Sequence, residues 1–208
     1  MAARPADSRL KRAVDVLASG LVLLATSPLF LLCCLAIRLD SPGAAVFRQE
    51  RIGKDGVPFT ALKFRTMVTG AVGMGAGALV ERNDSRITRS GWLLRRLSLD
   101  ELPQLINVVR GEMSLVGPRP TLAYQVEQYT PRQRRRLEAR PGITGWAQVN
   151  GRNELSWPER IELDIWYIDH WSPWLDVKIM LRTPLAALRG EGVYTDDLDK
   201  FKVGPGGK

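Results

Sequence analysis

The sequence predicts an α+β fold that is mainly helical: a re-entrant helix–break–helix at a membrane, then a small domain of short strands and interfacial amphipathic helices. Three observations carry that prediction. An uncharged run of 22 residues, Val16 to Ile37, has Ser27-Pro28 at its middle. Downstream, apolar residues recur at helical spacing in several short segments. Two β-type runs flank a Gly53-Lys54-Asp55-Gly56 turn. The expected organisation is a basic arm and membrane helix over 1–40, a folded domain over 41–194 and a disordered tail over 195–208.

As one straight helix, Val16 to Ile37 would measure about 33 Å, enough to cross a bilayer. Proline lacks an amide and clashes with the preceding turn, so a bend is expected at Pro28, with the Ser27 hydroxyl free to satisfy a released carbonyl. Arg9, Lys11 and Arg12 precede the run and Arg38 follows it. Basic flanks favour the cytoplasmic side, and only a hairpin keeps both flanks there. A single kinked spanning helix is the alternative. A cleaved signal peptide is disfavoured, because the apolar core is long and no Ala-x-Ala site follows.

Ala45–Phe47 and Phe59–Phe64 read as strands, and Lys63 and Arg65 end the second. Val68–Leu79 is glycine-rich and lacks the Gly-Lys-Ser/Thr ending of a Walker loop, so a mobile loop without a functional role is expected there. Arg89–Leu97 reads as a basic helix. Leu102, Leu105, Ile106 and Val109 mark the buried face of another, which Gly111 stops. Ser114–Val116 is a brief extended run before the turn Gly117-Pro118-Arg119-Pro120. Pro131–Arg140 holds five arginines and reads as a helix with a solvated or lipid-facing surface. Pro141–Gly151 is expected to be an ordered loop, and Glu159–His170 and Leu175–Leu188 helices. Trp157, Trp166, Trp171 and Trp174 divide between core packing and the headgroup level of a bilayer. His170 is expected at a helix end, and Asp164 and Asp169 on the surface.

The net charge of +8 favours anionic partners without choosing among them. Cys33 and Cys34, the only cysteines, are adjacent, so neither a disulfide framework nor a metal site follows from them.

The most informative stretch is Ser98 to Pro120. Ser98-Leu99-Asp100-Glu101 has the spacing of a capping box, and Asp100 could itself be the cap before Pro103. The same carboxylates also suit phosphate chemistry. One can attack phosphorus and form an acyl-phosphate, while its neighbour holds Mg2+, which takes one or two carboxylates plus phosphate oxygens. Arg119, fixed between two prolines, can fork onto phosphate. Lys63, Arg65, Arg95 and Arg96 are further candidates for diphosphate charge.

Taken in order, these motifs resemble the small monotopic phosphoglycosyl transferases, bacterial sugar-phosphate transferases that start glycan assembly on a polyprenol carrier. The resemblance runs from Lys11 to Gly192. It rests on the Ser27-Pro28 break, Lys63-Phe64-Arg65-Thr66-Met67, Arg95 to Leu102, Met113 to Pro120, and Pro141 to Asn153. It implies a re-entrant helix broken at Ser27-Pro28, with the catalytic domain and both termini on the cytoplasmic side of the bacterial inner membrane. It implies Asp100 as nucleophile on a UDP-sugar, Glu101 as Mg2+ ligand and Arg119 at phosphate; Lys63 and Arg95 stay candidates for phosphate binding on their charge alone. UMP leaves, and undecaprenyl phosphate receives the sugar-1-phosphate. Asn150-Gly151-Arg152-Asn153 looks like the branch using N-acetylated amino sugars. The sugar, the glycan served and the oligomeric state are not legible.

Two other classes compete. A membrane-attached module binding nucleic acid or anionic lipid would use the charge and Arg132–Arg136, yet no base-stacking or groove-reading pattern is present, so nucleic acid is not expected as a partner. A Mg2+-dependent hydrolase of nucleotide diphosphates would use similar residues and deliver phosphorus to water.

Overall fold

A computed structural model of the chain describes residues 8–74, 84–151 and 155–188. It is mainly helical, with a few short strands. The expected tail over 195–208, the part of the glycine-rich segment beyond residue 74, and Arg152 and Asn153 lie outside the described residues.

Helices α1 (Arg9–Ala25) and α2 (Ser27–Asp40) meet at Thr26 and bend by 63°. Neither is long and apolar enough to cross a membrane alone. The break falls where proline demands it. Pro28 has no amide for the carbonyl of Leu24, and the Ser27 hydroxyl donates to that carbonyl at 2.8 Å. The Thr26 hydroxyl does the same for Val22 at 2.7 Å.

The pair reverses the usual amphipathic rule. On α1 the buried residues are Lys11, Asp15 and Ser19, one stripe at four-residue spacing. Its leucines face outward, as do those of α2: Leu17, Leu21 and Leu24 are 67–74% exposed and Leu31 is 70% exposed. The polar stripe is anchored. Lys11 pairs with Asp176 at 2.6 Å, Asp15 accepts from the Ser114 hydroxyl at 2.7 Å, and Arg12 donates to the last carbonyls of the helix at 104–110, Val108 and Val109.

Strands β1 (Val46–Ile52) and β2 (Pro58–Phe64) form an antiparallel hairpin, Val46 opposite Phe64, turning at Lys54–Gly56. This is the expected hairpin with a longer first strand. Helix α3 (Arg89–Arg96) docks against Thr66, where Gly91 permits a backbone approach that any side chain would block: a Cβ there would lie 2.0 Å from the Thr66 carbonyl oxygen. Helix α4 (Gln104–Arg110) ends at Gly111, whose positive φ of 93° stops it as expected. Its buried face differs from the expected one. Leu105 is buried, but the other deep positions are Gln104, Asn107 and Val108, and Val109 is exposed. A 3-10 turn, Leu99–Glu101, precedes α4 and advances three residues per turn, which shifts the phase.

Strand β3 (Ser114–Val116) pairs in parallel with β4 (Gly142–Thr144). The segment Pro141–Gly151 is therefore more ordered than a loop, and it continues into α7 (Trp146–Val149). Between the two strands lie α5 (Ala123–Glu127) and α6 (Pro131–Arg134), the latter running into a 3-10 turn. Helices α8 (Trp157–Asp169) and α9 (Pro173–Leu188) close the fold. Val116, Tyr167, Ile168, Leu175 and Ile179 form one core, and Tyr129, Trp157, Ile161 and Ile165 another. A third joins Cys33 and Ile37 of α2 to Phe64 and Leu94, with Leu99 and Leu102 packed on it. That cluster holds the chain on both sides of Asp100-Glu101.

Of the tryptophans, Trp157 is buried in the core, Trp174 is exposed, and Trp166 stacks between Trp146 and His170. His170 lies at the end of α8 as expected, and Asp169 is on the surface, paired with Arg135.

Candidate active site

Asp100 and Glu101 sit on the 3-10 turn between α3 and α4. Neither cap reading holds. Ser98 adopts a left-handed conformation, φ 55°, and its side chain caps nothing. The conformation ends α3 and turns the chain back, so that the two carboxylates face a cleft of ≈ 1690 Å³. The Asp100 carboxyl makes no hydrogen bond among the described residues. Glu101 makes two through Oε1: Lys63 Nζ donates at 2.8 Å and Arg119 Nη2 at 2.7 Å.

Each cation is placed by a different element. Lys63 comes from β2, which packs against the turn. Arg95 comes from α3, where its Nε donates to Thr66 Oγ1 at 2.8 Å, and it lines the same cleft. Arg119 follows β3 in a turn whose backbone is clamped: Gly117 N donates to Thr144 O at 2.9 Å, and Ile52 N to Thr121 O at 2.8 Å. A Cβ on Gly117 would lie 2.3 Å from the Arg140 carbonyl oxygen, so only glycine fits there. The Arg119 guanidinium is 44% exposed and reaches solvent through the cleft.

The electrostatics separate the two acids. Burial pushes the Asp100 carboxyl above the ordinary aspartate range and Glu101 adds to this, while Lys63, Arg95 and Arg119 pull it back. Burial would raise Glu101 too, but Arg119 and Lys63 hold it far below the glutamate range. Adjacent carboxylates pushed in opposite directions are a recurrent mark of divided roles. One stays ionised and fixed. The other becomes the more basic and carries no competing hydrogen bond.

Of the remaining sequence candidates, Arg65 is a correction. Its guanidinium donates to Ser41 O at 2.7 Å, to Pro42 O and to Thr69 Oγ1, binding the chain after α2. It lines the cleft but is engaged in structure. Arg96 lies over the Trp92 ring, 5.1 Å from its centroid, and is not part of the lining. The arginine run is a second correction. Arg132 and Arg135 are surface residues paired with Glu162 and Asp169. Arg136 is buried: Nε donates to Asp164 at 2.6 Å, Nη1 to the Tyr129 hydroxyl at 2.8 Å and Nη2 to Arg119 O at 3.0 Å. Asp164, expected on the surface, is 1% exposed. Burial pushes its carboxyl up against the pull of Arg136.

Sequence reasoning missed Arg51, Arg136 and Arg160, all in the cleft wall with Arg119. Burial and the neighbouring Arg119 lower Arg51 to about 10, and burial with Arg119 and Arg136 does the same for Arg160. Among the described residues lining the cleft, nine are basic and three acidic. Such a cleft has a deficit of anions that a diphosphate would fill. A signal for Asp164 existed: with Ile161, Ile165 and Ile168 it falls at i, i+3, i+4, i+7, a charge on an apolar face.

No group of three or more metal-ligating side chains occurs among the described residues. Mg2+ does not require one, since it takes one or two carboxylates and completes its shell with substrate phosphate and water. Asp100 and Glu101 fit that pattern, with Glu101 Oε2 bonded to none of the described residues.

Comparison with known proteins shows the family. The family model for bacterial sugar transferases matches residues 6–190. The chain belongs to the bacterial sugar transferase family. It is 46% identical over 184 residues to an uncharacterized sugar transferase, EpsL, of Bacillus subtilis, covering 88% of this chain and 90% of EpsL. It is 48% identical over 193 residues to the UDP-glucose:undecaprenyl-phosphate glucose-1-phosphate transferase of Caulobacter vibrioides, covering 88% of this chain and 72% of that protein. It is 37% identical over 199 residues to the undecaprenyl-phosphate galactose phosphotransferase of Salmonella typhimurium, where the match spans 89% of this chain and 42% of the relative. The resemblance read from the motifs therefore holds, and the chain is an enzyme of the phosphoglycosyl transferase class.

Proposed function

We propose that this bacterial sugar transferase moves a sugar-1-phosphate from a UDP-sugar to undecaprenyl phosphate through a covalent intermediate on Asp100. The observation that carries the proposal is the unengaged Asp100 carboxyl, set among Lys63, Arg95 and Arg119 in an anion-deficient cleft. An Asp100 oxygen attacks the β-phosphorus, the bond from that phosphorus to the bridging oxygen breaks, and UMP departs with the electron pair. The phosphosugar remains on Asp100 until a phosphate oxygen of undecaprenyl phosphate attacks the same phosphorus and releases the carboxylate. A shared site used in turn suits two bulky substrates.

Lys63 and Arg119 keep Glu101 ionised and offer positive charge to the diphosphate. Glu101, with Asp100 beside it, would hold Mg2+, which would neutralise phosphate charge that otherwise repels the nucleophile.

The outward leucines of α1 and α2 support insertion of the bent pair into the inner leaflet, entering and returning on the cytoplasmic side. The cleft reaches Val22, Cys34 and Leu35 of that pair, so the carrier phosphate can approach from the lipid. The Caulobacter and Salmonella relatives are named as a glucose-1-phosphate transferase and a galactose phosphotransferase. The amino-sugar lean from Asn150 to Asn153 is retained as one arm of the donor screen.

Wild-type protein incubated with UDP-sugars is expected to release UMP and gain one sugar-phosphate of mass, discharged by undecaprenyl phosphate. Release of free sugar phosphate to water at the full rate, with no adduct, would favour a hydrolase instead. Reporters fused at either end are expected to be cytoplasmic. A periplasmic signal at one end would refute the hairpin.

A further inference from the structure

The cleft wall also carries polar groups that the chemistry at Asp100 does not use. Asp164, 1% exposed, has Oδ2 on Arg136, while its Oδ1 is buried with no partner among the described residues. Trp157, 6% exposed, has an unpartnered Nε1. Both Nε2 and Oε1 of the Gln148 amide are in the same condition. All three residues line the cleft that contains Asp100. Leaving a buried polar group without a partner is costly, so a cluster of them points to something that completes it.

The composition of the cluster defines what would do so. It offers an acceptor only at Asp164, a donor only at Trp157, and both at Gln148. A phosphate could satisfy the donors but would meet the Asp164 carboxylate. A polyprenyl tail would satisfy none. A nucleobase needs a face to stack on, and the Trp157 ring already lies under Arg136 and Arg160, whose guanidinium carbons are 5.1 and 5.8 Å from its centroid. A neutral ring of hydroxyls, each both donor and acceptor, matches the set. The distance to the chemistry is short, because Arg136 bridges Asp164 and the backbone of Arg119.

Resting on the transferase reading, we propose that Gln148, Trp157 and Asp164 form a hydroxyl-reading subsite that takes the hexose of the donor and sets sugar preference. The ribose of the same donor has the same chemistry, and the experiment separates them.

Binding is measured on an Asp100→Asn background, where turnover cannot intervene, with UDP, UDP-glucose, UDP-galactose and UDP-N-acetylglucosamine. Failure of the background protein to bind UDP would sink the transferase reading itself. Given UDP binding, at least one UDP-sugar is expected to bind more tightly than UDP. Gln148→Leu and Trp157→Phe are each expected to weaken that ligand by about five- to tenfold and to flatten the ranking of the three sugars, with UDP affinity unchanged. Both variants keep side-chain volume or ring, and thermal melts confirm folding. Asp164→Asn, which can retain the Arg136 bond, supplies a third variant with the same expected result. Equal losses for UDP and UDP-sugar would assign the hydroxyls to ribose and overturn the hexose assignment. No change in any affinity would overturn the subsite outright, as would a UDP-sugar series that binds no better than UDP.

Discussion

At the foot of α1, Lys11, Asp15, Asp176 and Tyr167 share a buried network in which each carboxylate is engaged. Asp176 accepts from Lys11 at 2.6 Å, the Tyr167 hydroxyl at 2.7 Å and Trp171 Nε1 at 3.0 Å. Asp15 accepts from Ser114 and the Leu115 amide. In the cleft, Glu101 accepts from two cations, and Asp100 beside it accepts no hydrogen bond among the described residues. The residue types are alike and the satisfaction is not. A completed network fixes α1 to the rest of the fold, whereas the incomplete one leaves a carboxyl without a bonded partner and bears the energetic cost of doing so.

The largest effect should come from the incomplete network. Asp100→Asn is expected to lower transfer by at least about a thousandfold and to abolish the sugar-phosphate adduct seen by intact mass, since an amide cannot replace the attacking oxygen. The same variant should be more stable than wild type at neutral pH. The sign follows from linkage: a carboxyl raised in the folded state favours folding while protonated, and that contribution is lost as pH rises through its folded pKa. The advantage of Asp100→Asn in thermal melts should therefore be present at neutral pH and fade in acid, below the ordinary aspartate range. A lower melting temperature at neutral pH would contradict the burial that raises Asp100.

The completed network should respond in the opposite sense. Lys11→Met leaves Asp176 and Asp15 buried without their cation, and removing one partner of a buried pair costs about 3–5 kcal/mol. Its effect should be read in stability rather than in the ratio of adduct formation to discharge. A change in that ratio in protein that remains folded would place α1 in the chemistry and erase the contrast.

Between these extremes lies the pH profile. The rate of adduct formation should fall with acid through a pKa above the ordinary aspartate range, because only the ionised Asp100 attacks. Glu101→Gln removes a neighbouring negative charge and frees Lys63 and Arg119 to act on Asp100. Both changes lower its pKa, so the acid limb should move to lower pH even though the overall rate drops. A limb that stays in place would mean that another group titrates.

What was legible in the sequence follows the same division. Asp100, Glu101 and Arg119 lie within one stretch, and Pro28 acts on its own helix, so local rules sufficed. Lys63 was found because it ends a strand with a recognisable pattern. Arg51 was missed because the first strand runs past Phe47 to Ile52, and Arg136, Arg160 and Gln148 reach the cleft through the parallel β3–β4 pair and the packing of α8, which no local spacing encodes. Val108 and Val109 exchanged places because a 3-10 turn has a different period from the helix it precedes. The capping reading failed for a related reason: Ser-x-x-Glu describes spacing, and the backbone at Ser98 takes the left-handed alternative.

That residue gives the smallest test of the contrast. Ser98 is one of two described non-glycine residues with positive φ, and it immediately precedes the turn that carries Asp100. An L-residue in this conformation is strained by about 1–2 kcal/mol. Glycine removes the strain but makes the unfolded chain more flexible, which returns about 0.5–1 kcal/mol. Ser98→Gly should therefore be neutral to about 1 kcal/mol stabilising, while Ser98→Val, with a β-branched side chain least suited to positive φ, should be destabilising. The glycine variant should also form the adduct more slowly, because the turn aiming Asp100 is held less rigidly. If Ser98→Gly instead weakens the fold by more than about 1 kcal/mol, the serine hydroxyl rather than the backbone angle holds the turn, and the strain assigned to this side of the comparison is absent.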